Sequence, residues 1–147
     1  MKTEETRALI ERYYEALTTA DLSTIKECLA EDIVWQLPRS VGNGEGFAIQ
    51  TDSEGRVFGE QVLLELGGDT VRNTFDISKP FALDVRQMIV EGNRAGVQQR
   101  LTATALSTGR PYDNQYCWVY TCVDGVIAHM EEYTDSLGAD LSLNPNR

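Results

Sequence analysis

Four β-rich segments joined by short turns fill the second half of the chain, and they constrain its fold more than any other feature. β-Branched and aromatic residues dominate each segment, and Gly, Asn, Asp or Pro residues separate them. The segments are Phe81 to Val90, Val97 to Leu106, Tyr112 to Val123 and Val126 to Asp135. This succession predicts four antiparallel strands in a meander.

Helical periodicity dominates the beginning of the chain. From Thr6 to Leu17, apolar side chains recur every three or four residues, which predicts an amphipathic helix. Asp21 is suited to cap a second helix that ends near Ala30. A short third helix is predicted over Glu60 to Leu66, with Gly67-Gly68 as its left-handed stop.

A strand and a long loop lie between the second and third helices. Ile33 to Leu37 is β-branched and aromatic, and Pro38 ends it. Arg39 to Phe58 contains four glycines and no sustained period, which predicts a loop with a short hairpin around Phe47 to Ile49. Because loops this long are often lids, we expect it to fold over the mouth of a cavity.

Helices first and a meander second are typical of the α+β class. The sequence therefore predicts a single domain over residues 1–147, in which three N-terminal helices pack on one cone-shaped, curved antiparallel sheet. A curved sheet covered in this way leaves a conical cavity.

Composition excludes several classes of function. The chain has 147 residues and a net charge of −10, which disfavours binding to nucleic acid. Its apolar runs fall short of the roughly 18 residues that span a bilayer, and its first residues lack a secretion signal, so we expect a cytoplasmic protein without membrane contact. The three cysteines lack metal or redox spacing, so we expect reduced thiols and no metal site.

Three segments together resemble the nuclear transport factor 2-like superfamily, and within it the SnoaL-like polyketide cyclases most. They are Glu11 to Trp35, Gly109-Arg-Pro-Tyr-Asp-Asn-Gln-Tyr116 and Asp124-Gly-Val-Ile-Ala-His-Met-Glu-Glu-Tyr-Thr-Asp135. The superfamily also includes ketosteroid isomerase, limonene epoxide hydrolase and scytalone dehydratase. The resemblance implies the conical fold; it is less specific for function because one fold carries many chemistries.

The resemblance to ketosteroid isomerase is partial at the catalytic positions. Tyr13 falls where that enzyme has its oxyanion-hole tyrosine. Leu37 falls where it has the aspartate base, and Cys117 falls near its protonated aspartic acid. The resemblance therefore implies an oxyanion donor at Tyr13 without the carboxyl groups of steroid isomerisation.

The resemblance to the other two enzyme classes centres on Asp135. In the cyclases the corresponding aspartate is the general acid/base, and in the epoxide hydrolases it is one of two aspartates. The Arg-x-Asp motif of the hydrolases is matched only by Thr102-Ala-Thr104, or by Arg100-Leu-Thr102 in a shifted register. The tail from Leu137 to Leu143 lacks the Leu/Gln-rich helix that follows in the cyclases.

The turn at Asp124-Gly125 leaves two registers open for the last hairpin. A two-residue turn places Cys117 and Val119 on the face of Met130 and Glu132. A three-residue turn with a glycine bulge places them instead on the face of His129, Glu131, Tyr133 and Asp135. The family resemblance favours the second register.

In that register, we expect a concave face that combines acid/base groups with an apolar wall. Arg100 is a candidate either for this face or for pairing outside it. Besides Asp135 and Tyr13 as catalytic residues, the predicted ligand-binding residues are Trp35, Leu37, Arg100, Thr102, Thr104, Cys117, Val119, His129, Glu131 and Tyr133.

The opposite face would then carry Tyr116, Trp118, Tyr120 and Met130. Such a surface is too apolar to be left in water, so it predicts a homodimer.

Two functions follow as hypotheses. The first is a cofactor-independent acid/base isomerase, cyclase or lyase for a small apolar carbonyl or polyketide-like compound. The second is a noncatalytic module that binds a small apolar molecule, and an epoxide hydrolase-like activity is a further alternative.

Overall fold

Two helices open the chain, as the periodicity predicts. The computed structural model describes residues 1–40 and 49–147. Helix α1 spans Thr3–Thr18 and α2 spans Leu22–Cys28. The Asp21 carboxylate accepts a hydrogen bond of 3.1 Å from the Thr24 backbone N–H, which confirms the predicted cap. Helix α2 ends two residues before the predicted end, because the backbone adopts an extended conformation at Leu29.

Six strands form one curved, unclosed sheet in the order β2-β1-β6-β5-β4-β3. The four predicted meander strands are confirmed as the last four. The strands are β1 Leu29–Gln36, β2 Arg56–Phe58, β3 Ala82–Glu91, β4 Arg94–Thr104, β5 Pro111–Val123 and β6 Val126–Thr134. The sheet is not wholly antiparallel, because β1 lies parallel to β6.

The predicted glycine stop after the third helix is wrong. Helix α3 spans Gly59–Leu64, a π-helical turn follows over Glu65–Asp69, and α4 resumes over Thr70–Thr74. Gly68 has a φ of 133°, which kinks the helical segment without ending it.

The tail forms a helix although its composition differs from that of the cyclases. Helix α5 spans Ser136–Leu143, and the Asp135 carboxylate accepts a hydrogen bond of 3.0 Å from the Gly138 N–H at its N-terminus. Ala139 and Leu143 are buried against β5 and its neighbours. Local capping and burial of one apolar face stabilise this short helix.

The last hairpin has the register favoured by the resemblance, but it reaches that register differently. The turn has two residues, because Val123 pairs with Val126 and both Asp124 and Gly125 have positive φ. The extra residue is inserted at Ala128, where the pairing shifts from Cys122–Ile127 to Thr121–His129.

The helices cover the sheet face that carries the large aromatic residues. Helix α1 packs on β3 and β4, and its Tyr13 and Ile10 join Trp118, Tyr120 and Met130 in the main core. A smaller core around Phe75, Tyr112 and Leu143 lies under α4 and α5. The sheet therefore has an inner face toward the helices and an outer face without helices among the described residues.

Candidate active site

A cavity of about 200 Å³ opens between the inner face of the sheet and the helical segments. Most of its wall is apolar, with Leu37, Trp35 and Trp118 on the sheet and Leu66 and Phe75 opposite. Within residues 1–40 and 49–147, its polar wall residues are few: Glu65, Thr70, Thr74, Gln99, Glu132 and Thr134, together with the phenols of Tyr112 and Tyr116. Apolar walls with a few polar groups are typical of small-molecule sites.

Glu132 contributes a buried carboxyl group to this wall. It lies on β6 directly opposite Trp118 of β5, and it is 9% exposed. In the described part of the chain, its side chain makes neither a hydrogen bond nor an ion pair. Loss of hydration therefore raises the pKa of Glu132 to about 8. A carboxyl with this pKa can both take and return a proton near neutral pH.

Glu65 is a second carboxylate on the cavity wall. It begins the π-helical turn and is 8% exposed. Its two oxygens accept hydrogen bonds from Gln61 Nε2 at 2.8 Å and from the Thr70 hydroxyl. These donors fix the Glu65 side chain, whereas Glu132 has no such partner among the described residues.

A hydrogen-bonded chain of three side chains runs from the core to the cavity. The Tyr14 hydroxyl donates to Gln99 Oε1 at 3.0 Å and lies 2.7 Å from the Tyr120 hydroxyl. Since the single Tyr14 hydrogen goes to Gln99, the hydrogen between the two phenols comes from Tyr120. Burial raises the pKa of both tyrosines, so they remain neutral. Gln99 ends the chain on the cavity wall.

Tyr112 and Tyr116 form a second polar group on the cavity wall. The Tyr112 and Tyr116 hydroxyls are hydrogen-bonded to each other, and Asn114 Nδ2 donates to Tyr112 at 3.1 Å. Asn114 Nδ2 also donates to the Asp135 carbonyl oxygen at 3.0 Å, which ties this group to the start of α5. The group is structural as well as part of the wall.

The structure brings two of the predicted ligand-binding residues to the cavity, Trp35 and Leu37. The other eight lie on the outer face: Arg100, Thr102, Thr104, Cys117, Val119, His129, Glu131 and Tyr133. The register was predicted correctly, but its two faces were exchanged. The helices cover the face of Trp118 and Tyr120 because burial of these aromatic side chains is the more favourable arrangement.

On the outer face several of these residues have partners of their own. Arg100 forms a bidentate pair with Asp113, and Tyr133 donates to Glu131 at 2.6 Å. His129 Nδ1 lies 3.7 Å from Glu131. The residues that carried the epoxide hydrolase resemblance therefore do not meet at the cavity.

The two predicted catalytic residues also lie away from the cavity wall. Asp135 is exposed and caps α5. Tyr13 is 1% exposed and packs edge-to-face on Tyr14 and Tyr120. The neighbour Tyr14, rather than Tyr13, is connected to the cavity through Gln99.

The aromatic residues that predicted a homodimer do not form an exposed surface. Trp118, Tyr120 and Met130 are buried within the chain, and Tyr116 lines the cavity. The aromatic surface that motivated a second copy is therefore covered by the chain's own helices. The homodimer stays a prediction without this support.

Sequence reasoning missed Glu132, Glu65 and Gln99. One signal for Glu132 was present, because Glu131 and Glu132 are adjacent and only one of them can face the cavity. Assigning the inner face to the largest aromatic side chains would have selected Glu132. The sequence carried no comparable signal for Glu65, which lies in a π-helical turn.

Most of the predicted lid, Arg39 to Phe58, remains a prediction. Residues 41–48 lie outside the described residues, and so does most of the expected hairpin at Phe47 to Ile49. Of the described part, Ile49 lines the cavity and Arg56–Phe58 forms β2.

The family model of the SnoaL-like domain matches residues 10–130. The chain belongs to the SnoaL-like domain family. This match confirms the family resemblance, and it includes α2, strands β1 to β5 and parts of α1 and β6. No curated protein matches this SnoaL-like chain.

Solved structures share the fold of this SnoaL-like domain. An NTF2-like protein from Burkholderia xenovorans is 22% identical with a TM-score of 0.76, and the match covers 98% of this chain and 99% of that one. TerC, co-crystallised with polyporic acid, is 19% identical with a TM-score of 0.76, and the match covers 95% of this chain and 98% of that one. A ketosteroid isomerase homologue from Kribbella flavida is 21% identical with a TM-score of 0.62, covering 90% and 79%.

The described residues provide neither a membrane-spanning helix nor a cluster of metal ligands. None of the helices in residues 1–40 and 49–147 has the length and apolar character to cross a membrane. Over the same ranges, no three His, Cys, Asp or Glu side chains group as metal ligands would.

Proposed function

We propose that this SnoaL-like protein is a cofactor-independent acid/base enzyme, an isomerase, cyclase or lyase, that acts on a small apolar carbonyl compound. The observation that carries the proposal is the buried Glu132 carboxyl on the wall of an apolar cavity. Glu132 takes the place in the mechanism that the sequence assigned to Asp135.

The protonation state of Glu132 suits proton transfer at carbon. With a pKa of about 8, roughly a tenth of the carboxyl groups are ionised at pH 7. The ionised form is a stronger base than an exposed glutamate, because the cavity stabilises the negative charge less than water does. The protonated form is then a suitable acid for the return of the proton.

The proposed reaction needs only the substrate and the Glu132 side chain, which carries the proton between steps. The Glu132 carboxylate takes a proton from the carbon beside the carbonyl, and the C–H electrons move to give an enolate. In an isomerisation, the Glu132 acid returns the proton to another carbon. In a cyclisation, the enolate carbon attacks a second carbonyl of the same molecule and Glu132 protonates the new alkoxide; in a lyase reaction, a leaving hydroxyl receives the proton.

The cavity favours an uncharged, apolar substrate. Lys and Arg are absent from its described wall, and the chain carries a net charge of −10. An anionic substrate would therefore be repelled rather than bound. The volume of about 200 Å³ suits a small molecule.

Deuterium exchange into a ketone tests the proposal without knowledge of the natural substrate. We expect the wild type to accelerate exchange at the carbon beside the carbonyl of 1-tetralone in D₂O, followed by NMR. Glu132→Gln should lower the catalysed rate by roughly 10²–10⁴-fold, the usual contribution of a general base. Exchange no faster than in buffer would contradict the proposal.

Glu131→Gln is the matched control. Glu131 carries the same side chain on the neighbouring position of β6, but on the outer face. The Glu131 variant should retain the exchange rate. A loss in this variant instead of Glu132→Gln would favour the face assignment made from the sequence.

The second candidate is a noncatalytic binding module. TerC, which shares the fold, was crystallised with a small molecule, and the wall at Leu37 is apolar where a ketosteroid isomerase has its base. Micromolar binding of small enones, epoxides or polyketide-like aldol precursors, with turnover of none, would favour this candidate. Turnover of an epoxide would favour the epoxide hydrolase-like alternative.

A further inference from the structure

Gln99 is fixed by the core and has an unused donor group at the cavity. It is 7% exposed, lies on β4 opposite Tyr116, and forms part of the cavity wall. Its Oε1 accepts the Tyr14 hydrogen bond, so the amide oxygen is already occupied. The amide nitrogen has no acceptor within the described part of the chain.

The amide nitrogen differs from the other unpaired donors of the wall. Trp35 Nε1 and Trp118 Nε1 are sealed from open space and have no acceptor among the described residues. Gln99 Nε2 is outside that fully sealed set, although its residue is more than nine-tenths buried. An unpaired amide N–H beside a cavity is a donor for a ligand oxygen.

The phenols hold this donor in place. Tyr120 donates to Tyr14 and Tyr14 donates to Gln99, so the direction of the whole chain is set. The two rings also pack edge-to-face with centroids 6.1 Å apart. A half-turn of the Gln99 amide would reverse the chain and leave the buried Tyr120 hydroxyl hydrogen without an acceptor among the described residues, which is costly.

We propose that Gln99 Nε2–H donates a hydrogen bond to the carbonyl oxygen of the substrate and to the enolate oxygen formed from it. This inference rests on the proposed function and deepens it: the substrate class is a neutral ketone or enone whose oxygen lies at Gln99 while Glu132 takes the neighbouring proton. Tyr14 and Tyr120 are positioning residues, because they act through Gln99. The proton goes to Glu132, the C–H electrons form the carbon–carbon double bond, and the carbonyl π electrons move to the oxygen that Gln99 contacts.

Binding of a matched pair of probes tests the contact. 1-Tetralone has a carbonyl oxygen, and tetralin is the corresponding hydrocarbon. Both tryptophans of the chain line the cavity, so intrinsic fluorescence reports binding. We expect the wild type to bind tetralone more tightly than tetralin, and Gln99→Met to reduce that preference by about 2- to 10-fold, the effect of one neutral hydrogen bond.

The matched control is Gln98→Met. Gln98 precedes Gln99 on β4 and is exposed on the outer face, so the same substitution there should leave the preference unchanged. Tyr14→Phe keeps the Gln99 amide but removes its fixed partner, and it should lower the preference by a smaller factor. Thermal unfolding establishes that each variant is folded before binding is compared.

The carbonyl stretching frequency of bound tetralone reports the hydrogen bond directly. It would not change if Gln99 had only a structural role. A hydrogen bond from Gln99 lowers this frequency, so we expect a higher frequency in Gln99→Met than in the wild type and in Gln98→Met. Equal frequencies in all three proteins, equal affinity of the wild type for both probes, or binding of neither probe would overturn the proposal.

The exchange assay separates this inference from the proposed function. Removal of one oxyanion donor should lower the exchange rate by about 10²–10³-fold in Gln99→Met. A normal exchange rate in Gln99→Met together with a loss in Glu132→Gln overturns this inference alone. If the carbonyl frequency shifts with Gln99 but the protein catalyses no deuterium exchange, the hydrogen bond from Gln99 is supported and the acid/base function is contradicted.

Discussion

Glu132 lies directly opposite Trp118 on neighbouring antiparallel strands, and both side chains line the cavity. A carboxyl group beside an indole and away from water is penalised in its charged form. Burial raises the pKa of Glu132 to about 8, and the first two predictions depend on this shift.

Stability should fall as the pH rises from about 4.5 to about 8. The pKa of Glu132 is about 8 in the folded protein and near 4.5 when unfolded, so between these values the folded state binds one more proton. The contribution to stability is complete below the unfolded pKa and is lost as the pH rises through the folded pKa. The loss is on the order of 4 kcal/mol.

Urea unfolding at pH 4.5 and pH 8.5 measures this loss. Glu132→Gln cannot ionise, so its stability relative to wild type should increase by that amount between the two pH values. The same pH dependence in wild type and variant would show that Glu132 is not the group responsible.

The rate of ketone exchange should rise with pH. Since the base form of Glu132 is the active one, the catalysed rate should increase through about pH 8 and reach a plateau above it. The rates are measured from pH 6 to 9.5, with the buffer rate subtracted. A catalysed rate that is flat or falls over this range would be inconsistent with Glu132 as the base.

Asp135 should prove to be a cap and not a proton shuttle. Asp135→Ala removes the acceptor for the Gly138 N–H and should cost about 0.5–2 kcal/mol of stability, whereas Asp135→Asn keeps a good capping side chain and should cost less. Both are measured by urea unfolding. If Asp135→Asn instead abolishes ketone exchange with its stability intact, the role implied by the family resemblance is correct.

Gly68→Ala should destabilise the segment that carries Glu65. Gly68 has a φ of 133°, and an added Cβ would lie 2.5 Å from Arg72 Nη1. Arg72 Nη1 ends a flexible side chain that can move away, so the backbone strain at this φ carries the effect, and we expect a loss of at least about 1 kcal/mol by thermal or urea unfolding.

Gly96→Ala is the comparison for Gly68→Ala. Gly96 lies in β4 without positive φ, and an added Cβ there meets no atom within 4 Å. This substitution should have little effect. Equal effects at the two positions would mean that the kink at Gly68 does not require glycine.

The sequence by itself determined the local elements and the family. The three- and four-residue spacing of α1, the Asp21 cap and the β-rich segments with their turns all depend on contacts between near neighbours, and each is found close to its predicted position. The register of the last hairpin was also predicted, through the resemblance, although a bulge at Ala128 rather than a longer turn produces it.

Only the tertiary structure decided which face of the sheet lines the cavity. Strand alternation separates Glu131 from Glu132 and Cys117 from Trp118, but it does not say which set the helices will cover. That choice depends on where α1 and the segment around the π-helical turn pack, and these contacts join residues far apart in sequence. The raised pKa of Glu132 and the fixed amide of Gln99 follow from the same packing, because desolvation and long-range hydrogen bonds exist only once the chain has closed over its inner face.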